Sequence, residues 1–166
     1  MTMTLIETIT VGSGGATSIE FTSIPQDGVE LYAEFSTRSN NSALVKNIRI
    51  YFNGQTGGTY PTCYIDGNGS STQFSNTGYS FGGRTNSAGS TAGTFTSTGI
   101  RMPNYTSTGT HLSLIESVAE NAAAECYLFL AAQGLTTSGA ITSMKFETSS
   151  ADTLLEHSSA SLYTIS

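Results

Sequence analysis

The side chains that most often carry enzyme chemistry are few in this sequence and widely separated. The two histidines, His111 and His157, stand far apart, and neither has the spacing of a metal-ligand motif. No HExxH, CxxC or GxSxG pattern is present. Cys63 or Cys126 could pair with a histidine as a nucleophile, but Cys126 lies in an apolar stretch, where a thiol is normally inert. We therefore predict a protein that is not an enzyme and has no catalytic residues.

Two short segments have the composition of ligand-binding loops. Gly12–Gly15 follows a predicted strand, but the lysine and the helix that a phosphate-binding loop requires do not follow it. Asp66–Ser70 is similar to the start of a calcium loop, but Thr77 stands where the twelfth-position Glu is expected. A tight turn is the simpler interpretation of this segment. We predict no metal site and no cofactor.

Composition narrows the classes of partner. Only 11% of the 166 residues are charged, against about a quarter in typical domains. The formal net charge is −6, and the six basic residues are scattered, so the clustered Lys and Arg of a nucleic-acid surface are missing. No stretch approaches the roughly 20 apolar residues of a membrane span, and the first residues lack a signal peptide's basic start. We predict neither a nucleic-acid nor a membrane partner, and we expect buried free thiols rather than a disulfide.

Strict alternation of apolar and polar residues predicts strands with one buried face. It is clearest in Ala16–Ser39, where a turn at Pro25–Gly28 separates two such runs. Val45–Asn53 repeats the pattern and ends in Asn-Gly, a strong hairpin signal, with the return strand expected at Tyr60–Ile65. Further strands are expected at both chain ends, at Glu125–Ala132 and at residues 141–148. Phe35 and Leu128 are predicted to be core residues.

These strands predict the fold class. We expect one all-β domain over residues 1–166, a two-sheet β-sandwich or jelly roll of about eight to ten antiparallel strands. Residues 66–107 are predicted as a long polar loop region with short strands. His111–Ala124 fits either an amphipathic helix or a strand.

Three aromatic residues in or beside the polar region are candidate contact residues. Tyr79, Phe81 and Tyr105 would stack on sugar rings or meet another protein if they were exposed. The alternative is a small satellite core beneath the loop.

Four segments together resemble a family of small bacteriophage virion proteins of marine and cyanobacterial phages. They are SIEFTSIPQDGVELYAEFSTRS, RMPNYTSTGTHLSLIESVAENAAAE, GAITSMKFETSS and HSSASLYTIS, in that order along the chain. Members are described as structural, decoration or tail-fibre-associated proteins. The resemblance implies a jelly-roll-like sandwich that assembles as a homotrimer. It also favours a strand for His111–Ala124, ending in an Asn/Ala-rich turn, and it offers no catalytic residues.

Two functions follow as expectations from the resemblance. The first is a capsid decoration protein, made in the host cytoplasm, that binds the major capsid protein or other virion proteins on the outer head surface and reinforces the head. The alternative is a tail-fibre or receptor-binding tip domain that recognises a host surface glycan.

Overall fold

The chain folds into two antiparallel β-sheets that share one hydrophobic core. The computed structural model describes residues 1–57, 59–120, 126–136 and 139–166. Eight strands form the large sheet, in the order β1 (Met3–Thr10), β12 (Ser159–Ile165), β3 (Glu30–Ser36), β8 (Ser97–Pro103), β9 (His111–Glu120), β10 (Cys126–Leu135), β5 (Thr62–Gly67) and β6 (Thr72–Thr77). Four strands form the small sheet, in the order β2 (Ser18–Phe21), β11 (Met144–Thr148), β4 (Val45–Phe52) and β7 (Arg84–Asn86).

The predicted all-β two-sheet sandwich is confirmed, with more strands than expected. The described residues form 12 strands rather than eight to ten, because residues 66–107 contain β6, β7 and β8. Strands β6 and β7 consist mostly of polar residues, so they lack the apolar alternation that would reveal them, and in β8 the alternation is limited to Ile100 and Met102. Nevertheless, β8 lies near the middle of the large sheet, between β3 and β9. In the part of the chain that the structure describes, no helix is long and apolar enough to cross a membrane.

The core lies between the facing sides of the two sheets. Leu31, Ala33 and Phe35 of β3 are at most 2% exposed, as their alternation predicts. They face apolar side chains of the small sheet, and the ring of Phe35 lies 4.0 Å from that of Phe146 on β11. Rings this close pack tightly, and large aromatic side chains contribute most of a core's buried area. Phe35 is therefore confirmed as a core residue.

The predicted hairpin after β4 is wrong, although its turn is present. Asn53 and Gly54 both have positive φ, at 50° and 69°, and the amide of Gln55 donates to the carbonyl of Phe52 at 3.0 Å. The chain then crosses to the large sheet instead of pairing beside β4. Strands β2 and β3, on either side of the Pro25–Gly28 turn, also lie in different sheets. Such turns reverse the direction of the chain, but they do not determine which sheet the next strand joins. That depends on the apolar faces of the strands, which must pack against each other across the core.

Strand β9 resolves the ambiguity over His111–Ala124. His111–Glu120 is a strand that pairs with β8 on one side and β10 on the other, and its burial alternates residue by residue. Two flanking strands thus override the helix propensity of the segment. The Asn/Ala-rich turn expected after it falls at residues 121–125, outside the described residues.

The prediction that Leu128 is a core residue is wrong. In β10 the inward side chains are Phe129 and Ala131, whereas Leu128 is 62% exposed. The strand is apolar on both faces, and such a run is easily interpreted as a strand buried on both sides. Since only one face of the large sheet covers the core, the other apolar face points outward.

Candidate functional site

One half of the outer side of the large sheet is an exposed apolar surface. It is built by β9, β10, β5 and β6, and its large apolar side chains are 44–72% exposed. We name it the apolar face, and define it by Leu112, Leu114 and Val118 of β9, Leu128 and Leu130 of β10, Ile65 of β5 and Phe74 of β6.

Strand register makes the apolar face continuous. Val118 pairs with Leu128, and Leu130 pairs with Ile65, which in turn pairs with Phe74 at the sheet edge. Facing residues on neighbouring antiparallel strands have Cβ atoms about 5 Å apart, close enough for side chains to touch. These residues therefore form one surface, roughly 20 Å in each direction.

The area of the apolar face exceeds what a monomer usually shows. A side chain of this size exposes on the order of 200 Å² when fully accessible, so the seven together present roughly 700 Å². The largest apolar patch of a typical monomer is about 300–600 Å², and larger ones usually mark interaction sites.

Few charges interrupt the apolar face. Among the described outward residues of its four strands, the ionisable carboxylates are Glu116 and, at the far end, Glu120. Glu120 accepts hydrogen bonds from the Thr91 amide at 3.0 Å and the Thr94 hydroxyl at 2.9 Å. Hydrogen bonds from Thr91, above all from its hydroxyl, and from Thr94 hold the pKa of Glu120 below its usual value. The Glu120 carboxylate is thus bound by the loop between β7 and β8, and Glu116 stands in the apolar face.

Elsewhere the outer surface of both sheets carries charged pairs, and the exposed large apolar side chains among its described strand residues are Met3 and Leu5 of β1. On the other half of the large sheet, Arg101 lies 3.7 Å from Glu30 and covers the ring of Tyr32. On the outside of the small sheet, Lys145 forms an ion pair with Glu147 at 2.7 Å, and this contact raises the pKa of Lys145. The apolar face is therefore a local feature rather than a general property of the surface.

A groove runs beside Phe74 at one end of the apolar face. It is open, with a volume of about 510 Å³. Its floor is formed by small residues, namely Cys63, Ala132 and Gly134, and Leu112 forms one wall. At 72% exposure Phe74 projects nearby, so the apolar face has both a recess and a projection.

Two of the three predicted contact aromatics are core residues. Phe81 is 4% exposed and packs against the rings of Tyr64 and Phe129, and Tyr105 is 0% exposed. The Tyr105 hydroxyl donates to the Pro25 carbonyl at 2.5 Å, and burial raises its pKa. Neither side chain can stack on a surface sugar. Both are buried, as the alternative expected, but they belong to the main core rather than to a separate satellite. Tyr79 is 54% exposed and lies 5.8 Å from the Arg49 guanidinium.

The segment that is similar to a calcium loop is a tight turn. The Asn68 side-chain oxygen accepts from the Ser71 amide at 2.8 Å and closes the turn between β5 and β6. Asp66 forms an ion pair with Arg84, so its charge is already compensated. Together with Asn68, Gln73 and Tyr127 these residues line a polar recess of about 160 Å³.

The two histidines and the two cysteines do not form a catalytic or metal-binding cluster. His111 is buried, and its Nε2 lies 2.9 Å from the Gly139 carbonyl. Among the described residues, no three His, Cys, Asp or Glu side chains lie close enough to hold a metal ion. Both cysteines are free, as expected, but both are exposed, so the expectation that they are buried is wrong.

Strand register separates the two thiols. Cys63 pairs with Ala132, six residues along β10 from Cys126, so about 20 Å separates the two cysteines. A disulfide needs Cα atoms within about 7 Å, and a bridge within one chain is therefore excluded.

Comparison with protein families, with curated proteins and with solved structures finds no match to this chain.

The apolar face is the feature that the sequence prediction missed. Its signal was present in β10, where both alternating sets of residues contain large apolar side chains, as in Leu128–Phe129. In β9 the outward set carries Leu112, Leu114 and Val118, whereas the inward set is mostly His, Ser and Ala. In a sandwich of two sheets, a strand has only one buried face. A strand that is apolar on both faces therefore predicts an outward apolar surface.

Proposed function

We propose that the protein is a non-enzymatic structural protein that binds other protein subunits through its apolar face. The observation that carries this proposal is a continuous, nearly charge-free surface of roughly 700 Å² on the outer side of the large sheet. Interface cores are depleted in charged residues in the same way. A standard protein–protein interface buries about 800 Å² on each partner, close to the area that is available here.

The resemblance to phage virion proteins gives this binding a setting. We propose that the protein is made in the host cytoplasm and, as a homotrimer, decorates the outer surface of the phage head. Its partners there are the major capsid protein or other virion proteins. The acidic net charge of −6 favours a position away from the packaged DNA, whose phosphates repel an acidic surface.

Mass action explains how such a protein would stabilise a head. A ligand that binds only the assembled state raises the stability of that state. An oligomer that touches neighbouring capsid subunits adds several weak contacts through high effective concentration. Since no single strong contact is required, a surface without charged hot spots is sufficient.

The decisive experiment uses a phage from which this protein is deleted. Loss of DNA on heating or osmotic shock measures head stability, and adsorption to host cells measures attachment. Decoration predicts a weaker head with normal adsorption, and many copies of the protein in each wild-type particle. A head of normal stability would contradict it.

A glycan-binding tip domain is the second candidate function. Exposed Tyr79, with Arg49 beside it, supports this alternative, since an accessible aromatic ring can stack on a sugar. The polar recess around Asp66 and Arg84 offers hydrogen-bonding side chains of the kind that hydroxyl groups require. In the same deletion phage, this function predicts lost adsorption with a head of normal stability, and few copies of the protein in each particle.

A further inference from the structure

We propose that the apolar face is covered by the apolar face of a second copy of this chain. The inference deepens the proposed function, and it rests on that proposal only in taking the face to bind protein. A symmetric contact of this kind joins chains two at a time, so in the proposed assembly it links chains of neighbouring homotrimers and does not build the homotrimer itself. Three properties of the face point to its own copy: its area, its shape and its charge.

The area suits an interface between whole subunits rather than a peptide. Roughly 700 Å² on each copy is close to the 800 Å² per partner of a standard specific interface. The exposed side chains lie on four neighbouring strands rather than along one line. An extended peptide would cover one or two strands and leave the others in water. A second sheet covers all four at once.

The face also carries both parts that a self-complementary contact needs. In a symmetric contact the same patch serves on both sides, so a projection requires a matching recess on the same patch. Phe74 is the projection, at 72% exposure. The groove over Cys63, Ala132 and Gly134 is the recess, two residues further along the same edge. In the proposed contact, Phe74 of each copy enters the groove of the other.

Sheet geometry allows the two faces to meet. Sheets pack with strands about 30° apart and with about 10 Å between them, because each has the same right-handed twist. Within one chain, the two sheets already pack face to face as a sandwich. Two copies in contact at their apolar faces would form a stack of four sheets, with a third core between the cores of the two copies.

The charges permit a self-contact, although the whole chain is acidic. The net charge is −6, so two copies repel each other at long range. Glu116 is the carboxylate that stands in the apolar face, where it pairs with Leu130 on β10 and with Gly99 on β8. Arg101, also on β8, is 59% exposed in its side chain and can approach Glu116 of the other copy. That pairing would compensate the one carboxylate within the face, and the apolar side chains around it carry no charge.

The experiment measures self-association and identifies the face on the unmodified protein. Sedimentation at about 10 µM gives the mass, a concentration at which a standard interface is populated. Alkylation under native conditions gives the reactivity of Cys63 on the floor of the groove. Cys126, at the rim of the same face, is the internal reference. We expect a mass above one chain and slow alkylation of Cys63 relative to Cys126.

Two matched variants test whether self-association uses the apolar face. Leu130→Glu places a charge in the centre of the apolar face, and Thr10→Glu places the same charge at an exposed position on the polar half of the same sheet. We expect Leu130→Glu to weaken association on the order of 100-fold and to expose Cys63, and Thr10→Glu to change neither. Ala132→Trp fills the groove without touching the core, and we expect it to weaken association as well.

Several outcomes would overturn the proposal. A monomer in which Cys63 is as reactive as Cys126 shows that no second copy covers the face, which leaves it for another protein. An oligomer that survives both Leu130→Glu and Ala132→Trp uses a different surface. These results are distinct from failure of the decoration function, since a deletion phage with a normal head would leave the self-association intact. Circular dichroism confirms that each variant is folded.

Discussion

Phe35 of β3 and Leu128 of β10 are both large apolar strand residues, but Phe35 is buried and Leu128 is exposed. Phe35 is 2% exposed beneath Phe146, whereas Leu128 is 62% exposed on the apolar face. We expect Phe35→Ala to lower the free energy of unfolding by about 3–5 kcal/mol, because it removes buried area and leaves a cavity. Denaturant unfolding of dilute protein measures this.

Leu128→Ala is the control for that substitution. Its side chain leaves water only when another molecule covers the face, so we expect a loss of under about 1 kcal/mol in dilute protein. Its effect should appear in association instead. If the two variants lose the same free energy of unfolding, the Leu128 side chain faces the core rather than the solvent.

Tyr60 makes the stability of the folded protein depend on pH in the alkaline range. Its hydroxyl donates to the Gln55 carbonyl at 2.8 Å and accepts from the Phe52 amide at 2.9 Å. Burial raises its pKa from 10.0 to about 12. Below pH 10 the tyrosine is neutral in both the folded and the unfolded state, and its contribution is complete. Between pH 10 and about 12 the unfolded state loses the proton first, so stability falls as pH rises.

Substitution of Tyr60 isolates this contribution. We expect Tyr60→Phe to unfold more easily at neutral pH, since the two hydrogen bonds are lost, but to show a shallower decline above pH 10. Urea midpoints across the alkaline range test this. A decline as steep as in the wild type would assign the pH dependence to other groups.

At the scale of the element, Asn53 joins the end of β4 to the loop before β11. Its side-chain oxygen accepts from the amides of Thr142 at 2.8 Å and Ser143 at 3.1 Å, and its amide donates to the Ala140 carbonyl at 2.8 Å. With φ at 50°, the residue also adopts a backbone conformation that Asn and Asp tolerate better than most residues.

We expect Asn53→Ala to cost about 2–3 kcal/mol, because four side-chain hydrogen bonds are lost, one of them from the Thr142 hydroxyl, and the positive φ is disfavoured. Asn53→Asp keeps the accepting oxygen and the tolerance for positive φ, and should cost less. Thermal unfolding of the two variants provides the comparison. If Asn53→Asp is as damaging as Asn53→Ala, the accepting oxygen does not hold the loop.

The elements differ in how far the sequence can predict them. Strands such as β3 and β4 are predictable because one polar and one apolar set of residues alternates along them. Their pairing is not, because β11, distant in sequence, lies between β2 and β4, and no local pattern encodes that contact. Polar strands such as β6 escape notice, since their residues resemble a loop. The candidate site was missed because apolar residues on both faces of a strand look like deeper burial.

On the scale of the whole molecule, the uneven distribution of charge makes self-association sensitive to salt. The chain carries 12 acidic and 6 basic residues, and the apolar face carries almost none of them. Raising the ionic strength from about 0.05 to 0.5 M shortens the screening length to a few ångströms and removes the long-range repulsion. Burial of apolar surface is not weakened by the same change.

We therefore expect association to become several-fold tighter over this range of salt, measured by sedimentation at fixed protein concentration. An interface held by ion pairs would behave in the opposite way. Weaker association at high salt would thus contradict an apolar contact.

The placement of the two free thiols has a consequence for how the protein ages. Oxidation cannot close a bridge within one chain, so any disulfide that forms joins two molecules. A groove closed by a second copy would shield Cys63, while Cys126 at the rim would remain open to oxidants. Protein stored without reductant should then form covalent pairs linked through Cys126, and a Cys126→Ser variant should stay single on a non-reducing gel. The fraction of disulfide-linked pairs would then increase with the time for which Cys126 has been exposed to oxidants.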